Sequence, residues 1–398
     1  MIRIRDTRFS STGALLTEAL RIASYYGFVP LEAHPRQQDN RRPAPTIDEI
    51  EDTISFARRD ERPLSSVARR ASQFARGAHG LLGWRIVQNP GSVPSVSLEL
   101  HVIGHTSAMA EAMLIVVADA IAAEAGIAAR TLSINSIGAS ESSGRYSREV
   151  GTYLRKHLES ISPSLRPRIA QDPIGALVQL IERGHPSITR APQATEYLSE
   201  EERKRFWEFL EYLEVAGLPY ELNGHVLGSR DVWSHTLFEI ATMDAETGVR
   251  LPIAFGGRYD PLMSRFSKRP DAAAVVSITC EVRGSARAKE VSQTPPPIFF
   301  AHIGIESRRK ALSVLETLRR ADIPVHQSLT YDRLGDQMTR AKTLGVPYIL
   351  ILGHKEAVEN AILVREVATN SQEAVPMEDL TGYLKRRRFL AQKPEMAA

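Results

Sequence analysis

The stretch from Leu251 to Arg283 holds the residues of this chain best suited to binding a phosphate group. An apolar run leads to Gly256-Gly257 and then to Arg258, and a β-branched run ends at Arg283. Paired glycines let the backbone approach a ligand closely, and a guanidinium at a strand end can clamp a phosphate. The pattern predicts a glycine turn beside an anion site. A β-hairpin with a surface arginine fits the same residues.

The bulk properties are those of a globular protein with two or three domains. The chain has 398 residues, of which 43% are hydrophobic and 24% charged, with a net charge of +3. A single cysteine, Cys280, excludes an intramolecular disulfide. The most apolar run, 108–129, contains three acidic residues, which argues against a membrane span. We therefore expect a cytoplasmic protein with no membrane contact.

The first half of the chain predicts strands and helices that can carry polar side chains. Residues 81–104 read as two strands around a turn, with Arg85 at the end of the first. Residues 106–126 predict a long apolar helix capped by Thr106 or Ser107. Further helices are expected around 146–158 and 173–183, and a strong helix begins after Ser199.

A polar stretch ending in three prolines divides the chain. Residues 284–297 read GSARAKEVSQTPPP, which is typical of a stiff linker. Beyond Ile298 strands and helices alternate, and YILILG has the continuous apolar character of a central parallel strand. The alternation predicts a small three-layer α/β domain. The basic surplus of the chain lies in this last part, where a solvated surface is the default interpretation.

Several stretches, in order, resemble the histidyl-tRNA synthetase family of class II synthetases. The stretch LRIASYYGFVPLEAHP resembles the family's first motif, and LSINSIGASESSGRYSREV its Asn-Ser-Ile-Gly segment. AFGGRYDPL is similar to its Gly-Gly-Arg-Tyr-Asp-Gly-Leu loop, and ITCEVR occupies its third motif. The stretch from RLGDQM to REVAT resembles its anticodon-binding domain.

The resemblance implies a fold and an activity. The fold is an α+β class II synthetase-like domain with an antiparallel sheet, followed by a small α/β domain of the anticodon-binding type. We expect the first domain over 1–287, with insertion-like helices at about 150–217, a linker over 288–297 and the second domain over 298–398. Family members are usually homodimers that use ATP and Mg²⁺ to attach histidine to tRNA, which places a tRNA contact in 298–398.

Two arginines match the family's nucleotide contacts. Arg85 falls at the second-motif arginine that contacts the ATP α-phosphate, and Arg283 at the third-motif arginine that contacts the far phosphates. The resemblance therefore implies that both bind nucleotide. The family's glutamate two residues beyond the first arginine is replaced by Val87.

The amino-acid pocket departs from the family. Ser97 and His101 stand where the resemblance implies a glutamine and a glutamate that bind histidine. Gly228 stands at the position of the catalytic arginine, and Arg230, two residues on, can substitute only if a bulge shifts the register.

Three aromatic or basic residues complete the expected pocket: Arg258, Tyr259 and Trp233. Arg258 and Tyr259 either shape the amino-acid side or hold the glycine loop by hydrogen bonds. His225 and His235 are ten residues apart, which is weak support for a metal site, and we expect none.

Three functions remain open from the sequence. We favour a paralogue that keeps the synthetase scaffold to bind nucleotide, tRNA or a partner enzyme, because the pocket and the catalytic arginine are lost. An active but divergent histidine–tRNA ligase is the first alternative. An enzyme that activates another amino acid is the second.

Overall fold

Two β-sheets organise the computed structural model, which describes residues 1–34, 45–74, 80–89, 93–244, 246–289, 295–331 and 333–386. The larger sheet has eight strands in the order β1-β2-β3-β8-β7-β6-β4-β5, and its inner pairs are antiparallel. Its strands are β1 Val29–Pro30, β2 Leu81–Asn89, β3 Ser95–Ile103, β4 Arg130–Gly138, β5 Glu221–Leu222, β6 Ser234–Met243, β7 Arg250–Arg258 and β8 Ala273–Glu281.

Nine helices accompany this sheet in the described ranges before 290. They are α1 Thr12–Tyr25, α2 Ile47–Glu51, α3 Leu64–Ala71, α4 Met109–Glu124, α5 Ser140–Lys156, α6 Arg166–Gln171, α7 Pro173–Glu182, α8 Glu200–Val215 and α9 Asp260–Ser267.

The second sheet has the strand order β10-β9-β11-β12-β13, with β9 parallel to β10 and β11 and the remaining pairs antiparallel. The central strand β11 is thus parallel to β9 but antiparallel to β12. The last strand, β13, was not predicted from the sequence. The elements are β9 Ile298–His302, α10 Ile305–Arg320, β10 Val325–His326, α11 Leu334–Leu344, β11 Tyr348–Leu352, α12 His354–Glu359, β12 Ala361–Glu366, β13 Gln372–Pro376 and α13 Leu380–Arg386.

This architecture confirms the predicted fold class, an antiparallel-sheet domain followed by a small α/β domain. The domain boundaries stay a prediction, because residues 290–294 of the expected linker lie outside the described residues, as do the last residues of 298–398.

The expected turn at Gly256-Gly257 is wrong, because both glycines lie inside strand β7. Neither has a positive φ. A Cβ on Gly256 would overlap the Val275 carbonyl oxygen, and one on Gly257 would lie 2.6 Å from the Thr236 carbonyl oxygen. The glycines are needed because neighbouring strands approach this backbone closely.

Several predicted boundaries also move. Arg85 lies in the middle of β2, not at its end, and α4 begins at Met109, with the Ser107 hydroxyl accepting a hydrogen bond from the Met109 N–H. Helix α5 begins at Ser140, six residues before the expected start. The cap of α8 is as expected, because Ser199 and Glu202 form a capping box.

Different helices pack on the two faces of the large sheet. One face packs on α1, α4 and α8 in a continuous apolar core, which explains why α4 is apolar all round. The other face packs partly on α3, α5 and α7 through a second core and carries a row of polar side chains. We call this second side the polar face.

Candidate functional site

A cross-strand row of polar side chains lies on the polar face. The register aligns Arg85 of β2 with Glu99 of β3, Ser277 of β8, Phe255 of β7 and Glu239 of β6. Side chains in such a row share one face and lie one strand spacing apart. Ser277 is half-buried, so solvent reaches the middle of the row in part. This row is the floor of the candidate site.

Arg85 is fixed at one end of the floor. Its Nε donates to Glu99 Oε2 at 2.6 Å, and its two terminal nitrogens donate to the Ser66 hydroxyl and the Pro63 carbonyl oxygen. A guanidinium has five N–H groups, so two remain for a ligand. The ion pair with Glu99 holds the guanidinium in place.

Beside Arg85, a hydrogen-bonded chain runs from Glu99 through His101 to Tyr259. His101 Nε2 lies 3.1 Å from Glu99 Oε2, and His101 Nδ1 lies 3.1 Å from the Tyr259 hydroxyl. Burial lowers the pKa of His101, so the ring is neutral at pH 7. Burial opposes ionisation of Glu99, but His101 and Arg85 lower its pKa to about 2. The His101 imidazole therefore donates to Glu99 and accepts from Tyr259.

Ser97 lies on the same face, two residues before Glu99 in β3. Its hydroxyl is 2.8 Å from the Thr279 hydroxyl and accepts a hydrogen bond from the Asn89 amide at 2.8 Å. Ser97 is buried, whereas Thr279 is half-buried. Hydroxyl groups, not a glutamine, form this part of the floor.

The space beside Gly228 is filled by Trp233 and Glu61. A Cβ on Gly228 would overlap the indole ring of Trp233 and lie 2.8 Å from Glu61 Oε1. Glu61 Oε1 accepts from the Trp233 indole N–H at 2.9 Å and from the Ser229 N–H at 2.7 Å. The ring packs edge-on against Phe255. An arginine at position 228 would need both groups to move.

Glu61 is fully buried and accepts from two further backbone N–H groups, those of Ala57 and Arg58. Burial raises its pKa to about 7, although these N–H donors and the indole favour the carboxylate. Glu61 thus lies at the site, beside Gly228 and Trp233.

Arg58 is the functional candidate that the sequence did not indicate. Its guanidinium lies 3.9 Å from the centroid of the Phe255 ring, on the polar face. Its Nη1 donates to the Leu227 carbonyl oxygen at 3.4 Å. The charged segment around it has no periodicity, so only the tertiary contact identifies it. Glu99 could have been found, because the alternation of β3 puts it on the same face as Ser97 and His101.

Arg258 lies on the opposite face of the sheet from Tyr259. Its Nη2 donates to Glu111 Oε2 at 2.6 Å, and Glu111 also accepts from Arg205 of α8. All of Arg258 is buried, and the two arginines hold the pKa of Glu111 at about 2 despite its burial. The structure therefore separates Arg258 from the other expected pocket residues.

Arg283 and Arg230 lie away from the floor. Arg283 is exposed beyond the end of β8, and its backbone N–H donates to the Thr12 hydroxyl. The row that contains Arg85 crosses β8 at Ser277, six residues earlier. Arg230 is exposed, and its Nη1 lies near Gly144 of α5. The structure brings together Arg85, Ser97, His101, Tyr259 and Trp233, but neither of these arginines.

The floor suits the phosphate groups of a nucleotide. Arg85 and Arg58 face the same side, with the hydroxyl groups of Ser277 and Thr279 between them on β8. Within the described ranges, no group of three or more His, Cys, Asp or Glu side chains could hold a metal ion. His225 and His235 are not part of such a group.

The second domain presents basic side chains on α11. Arg340 and Lys342 are exposed there, and Arg333 precedes the helix. In the part of the chain that the structure describes, no helix is long and apolar enough to cross a membrane.

Comparison with known proteins covers both domains. Residues 298–387 match the family model described as Anticodon binding domain. The chain is 28% identical over 299 residues to a histidine–tRNA ligase of Cyanothece sp., covering 74% of this chain and 68% of the relative. It is 26% identical over 290 residues to that of Bacillus licheniformis, covering 72% and 68%. The apo histidyl-tRNA synthetase of S. aureus aligns with a TM-score of 0.49 and 16% identity, covering 94% of this chain and 95% of that one.

Proposed function

This chain belongs to the histidyl-tRNA synthetase family of class II, and we propose that it binds a nucleotide with Mg²⁺, and tRNA, without activating histidine. One observation carries the proposal: side chains of the protein fill the amino-acid end of the polar face. Trp233 and Glu61 occupy the space beside Gly228, where the resemblance implies a catalytic arginine.

The buried imidazole of His101 supports the same proposal. Its two nitrogens already bond Glu99 and Tyr259, so the groups that would recognise a substrate imidazole are used within the chain. A neutral histidine in place of a carboxylate also removes the charge that would attract the substrate amino group. Losing a preorganised transition-state charge such as that of the missing arginine costs about 10²–10³ in rate.

The nucleotide part of the proposal rests on Arg85. It is held at one end of the floor with two N–H groups to spare, which suits a phosphate oxygen. We expect ATP with Mg²⁺ to bind to the full-length protein in calorimetry. Arg85→Ala should abolish this binding or weaken it by about 10-fold or more.

Pyrophosphate exchange with each amino acid in turn tests the absence of histidine activation. We expect no exchange above background with histidine, measured beside an active histidine–tRNA ligase. Robust exchange with histidine would establish the divergent ligase instead, and exchange with a different amino acid alone would establish altered substrate choice.

Binding of tRNA is proposed for the second domain, through the basic side chains of α11. Filter binding with the full-length protein should show retention that falls as salt rises. Arg340→Glu should weaken retention, whereas Lys355→Glu on α12 provides a matched charge reversal on another helix. Equal effects of the two substitutions, or no retention at low salt, would refute this surface.

A further inference from the structure

We propose that Arg58 is the second phosphate-binding arginine of the polar face, in the role that the resemblance assigns to Arg283. The ligand is the phosphate chain of a nucleoside triphosphate, so the inference rests on the nucleotide binding proposed above.

Arg58 and Arg85 face the same open floor. Arg58 lies over Phe255, and Phe255 is three strands from Arg85 in one cross-strand row. Strands are about 4.8 Å apart, so the two Cα positions of the row are separated by about 14 Å. Two long side chains that reach inward across this gap can hold opposite ends of a phosphate chain.

The guanidinium of Arg58 is available for a ligand. Among the described residues, its side chain has one hydrogen bond, to the Leu227 carbonyl oxygen at 3.4 Å. It forms two ion pairs beyond hydrogen-bond distance, because its Nε lies 3.7 Å from Asp60 Oδ1 and its Nη2 lies 3.7 Å from Glu239 Oε2. Arg85, by comparison, has three of its N–H groups bonded.

The nearby carboxylates do not cancel the charge of Arg58. Glu239 forms its close ion pair with Arg250, which in turn donates to the Ser133 hydroxyl. Asp60 is about half exposed, so water screens its charge. Phe255 holds the guanidinium plane, which lowers the entropy lost when its N–H groups bind an anion.

Arg58 also lies beside Gly228, the position at which the resemblance implies an arginine. The carbonyl oxygen to which it donates belongs to Leu227, the neighbour of Gly228. The guanidinium of Arg58 thus lies next to position 228, where the resemblance implies the catalytic arginine. Arg230 is closer in sequence but lies against α5.

The test measures binding of Mg²⁺-ATP and of Mg²⁺-tripolyphosphate to the full-length protein by calorimetry. Arg58→Ala should weaken both ligands by about 10-fold or more, because a charged hydrogen bond to phosphate is lost. Arg58→Lys keeps the charge and should recover part of the affinity. Arg283→Ala and Arg230→Ala are the matched controls, and each should change affinity by less than about twofold.

The outcomes separate this inference from the proposal on which it rests. If the wild-type protein binds ATP and Arg58→Ala binds it equally well, the inference is wrong while nucleotide binding stands. Loss of binding in Arg283→Ala alone would also overturn it. If the wild-type protein binds neither ligand at millimolar concentration, nucleotide binding itself fails. Thermal unfolding of each variant establishes that it is folded. If Arg58→Ala does not fold, Arg58→Met is measured in its place.

Discussion

Arg258 illustrates how a loop residue that resembles a pocket residue can serve the fold. Its guanidinium is buried between β7, α4 and α8, where it pairs with Glu111. Arg205 binds the same carboxylate from α8. The three charges tie the sheet to two helices, and the face they occupy is not the polar face. The contacts of Arg258 therefore support a structural role and not a role in shaping the amino-acid side of the pocket.

Removing this guanidinium should destabilise the protein strongly. Arg258→Met leaves a buried carboxylate with one partner, and we expect a loss of about 3 kcal/mol in the free energy of unfolding. Arg230→Met is the matched exposed substitution and should change it by less than about 0.5 kcal/mol. Urea unfolding followed by circular dichroism measures both. Similar midpoints for the two variants would contradict the ion-pair role.

Glu61 should make stability depend on pH near neutrality. Burial raises its pKa from 4.5 to about 7, so the folded state holds a proton that the unfolded state has released. Its contribution is therefore full below pH 4.5 and is lost as pH rises through 7, by about 3 kcal/mol in all.

The slope of stability against pH is the readout for Glu61. Wild-type protein should lose stability between pH 5 and 8, and Glu61→Gln should lose this slope even if its overall stability is lower. Glu141→Gln, an exposed acid on α5, should keep the wild-type slope. A slope that is unchanged in Glu61→Gln would mean that another group titrates.

At the scale of elements, the glycine pair sets how closely β7 approaches its neighbours. Gly256 lies against the Val275 carbonyl oxygen of β8 and the Phe238 ring of β6. Any side chain there would push two strands apart. The floor residue Phe255 lies in β7, and Tyr259 follows this strand directly. The glycines therefore also fix the positions of these two residues.

Gly256→Ala should therefore destabilise the sheet by about 3 kcal/mol, because backbone atoms cannot move aside cheaply. Gly335→Ala is the control, since a Cβ there meets nothing within 4 Å and the residue lies in helix α11. That substitution should stabilise by about 0.5–1 kcal/mol. Thermal unfolding of both variants checks the prediction, and a neutral Gly256→Ala would contradict the close approach.

At the scale of the whole molecule, the two domains share one apolar core. The core on the first face of the large sheet continues into β9, α10 and β11 of the second domain. Polar contacts join the same surfaces: the Tyr26 hydroxyl donates to Glu316 at 2.9 Å, and the Gln327 amide donates to the Tyr26 carbonyl oxygen. The second domain is thus docked on the helical side, away from the polar face.

This shared core predicts a single cooperative unfolding transition for the full chain. Tyr26→Phe removes a hydrogen bond to a charged group and should lower stability by about 1–2 kcal/mol without splitting the transition. Tyr220→Phe removes an exposed hydroxyl–Glu214 contact within the first domain and should have a smaller effect. Calorimetry measures both, and two separated transitions in the wild type would refute a shared core.

The homodimer implied by the resemblance stays a prediction. Helix α1 is covered almost completely within one chain, and Arg21 is its one exposed residue. A dimer formed through α1 would have to expose surface that now packs on α4 and on the second domain.

Local pattern determined much of this protein. Apolar periodicity predicted α4, a capping box predicted the start of α8, and alternation predicted β2 and β3, because these elements are set by short-range hydrogen bonding and by which face is apolar. The family resemblance predicted the fold class. The same alternation put Ser97 and His101 on one side of a strand.

Only the tertiary structure decided which side chains meet. Arg258 and Tyr259 are adjacent in sequence, yet strand pleating puts them on opposite faces, with Glu111 beside one and His101 beside the other. Arg58 and Gly228 are far apart in sequence, yet strand pairing and the packing of the segment before α3 bring them together. Such contacts depend on long-range packing, which no local pattern encodes.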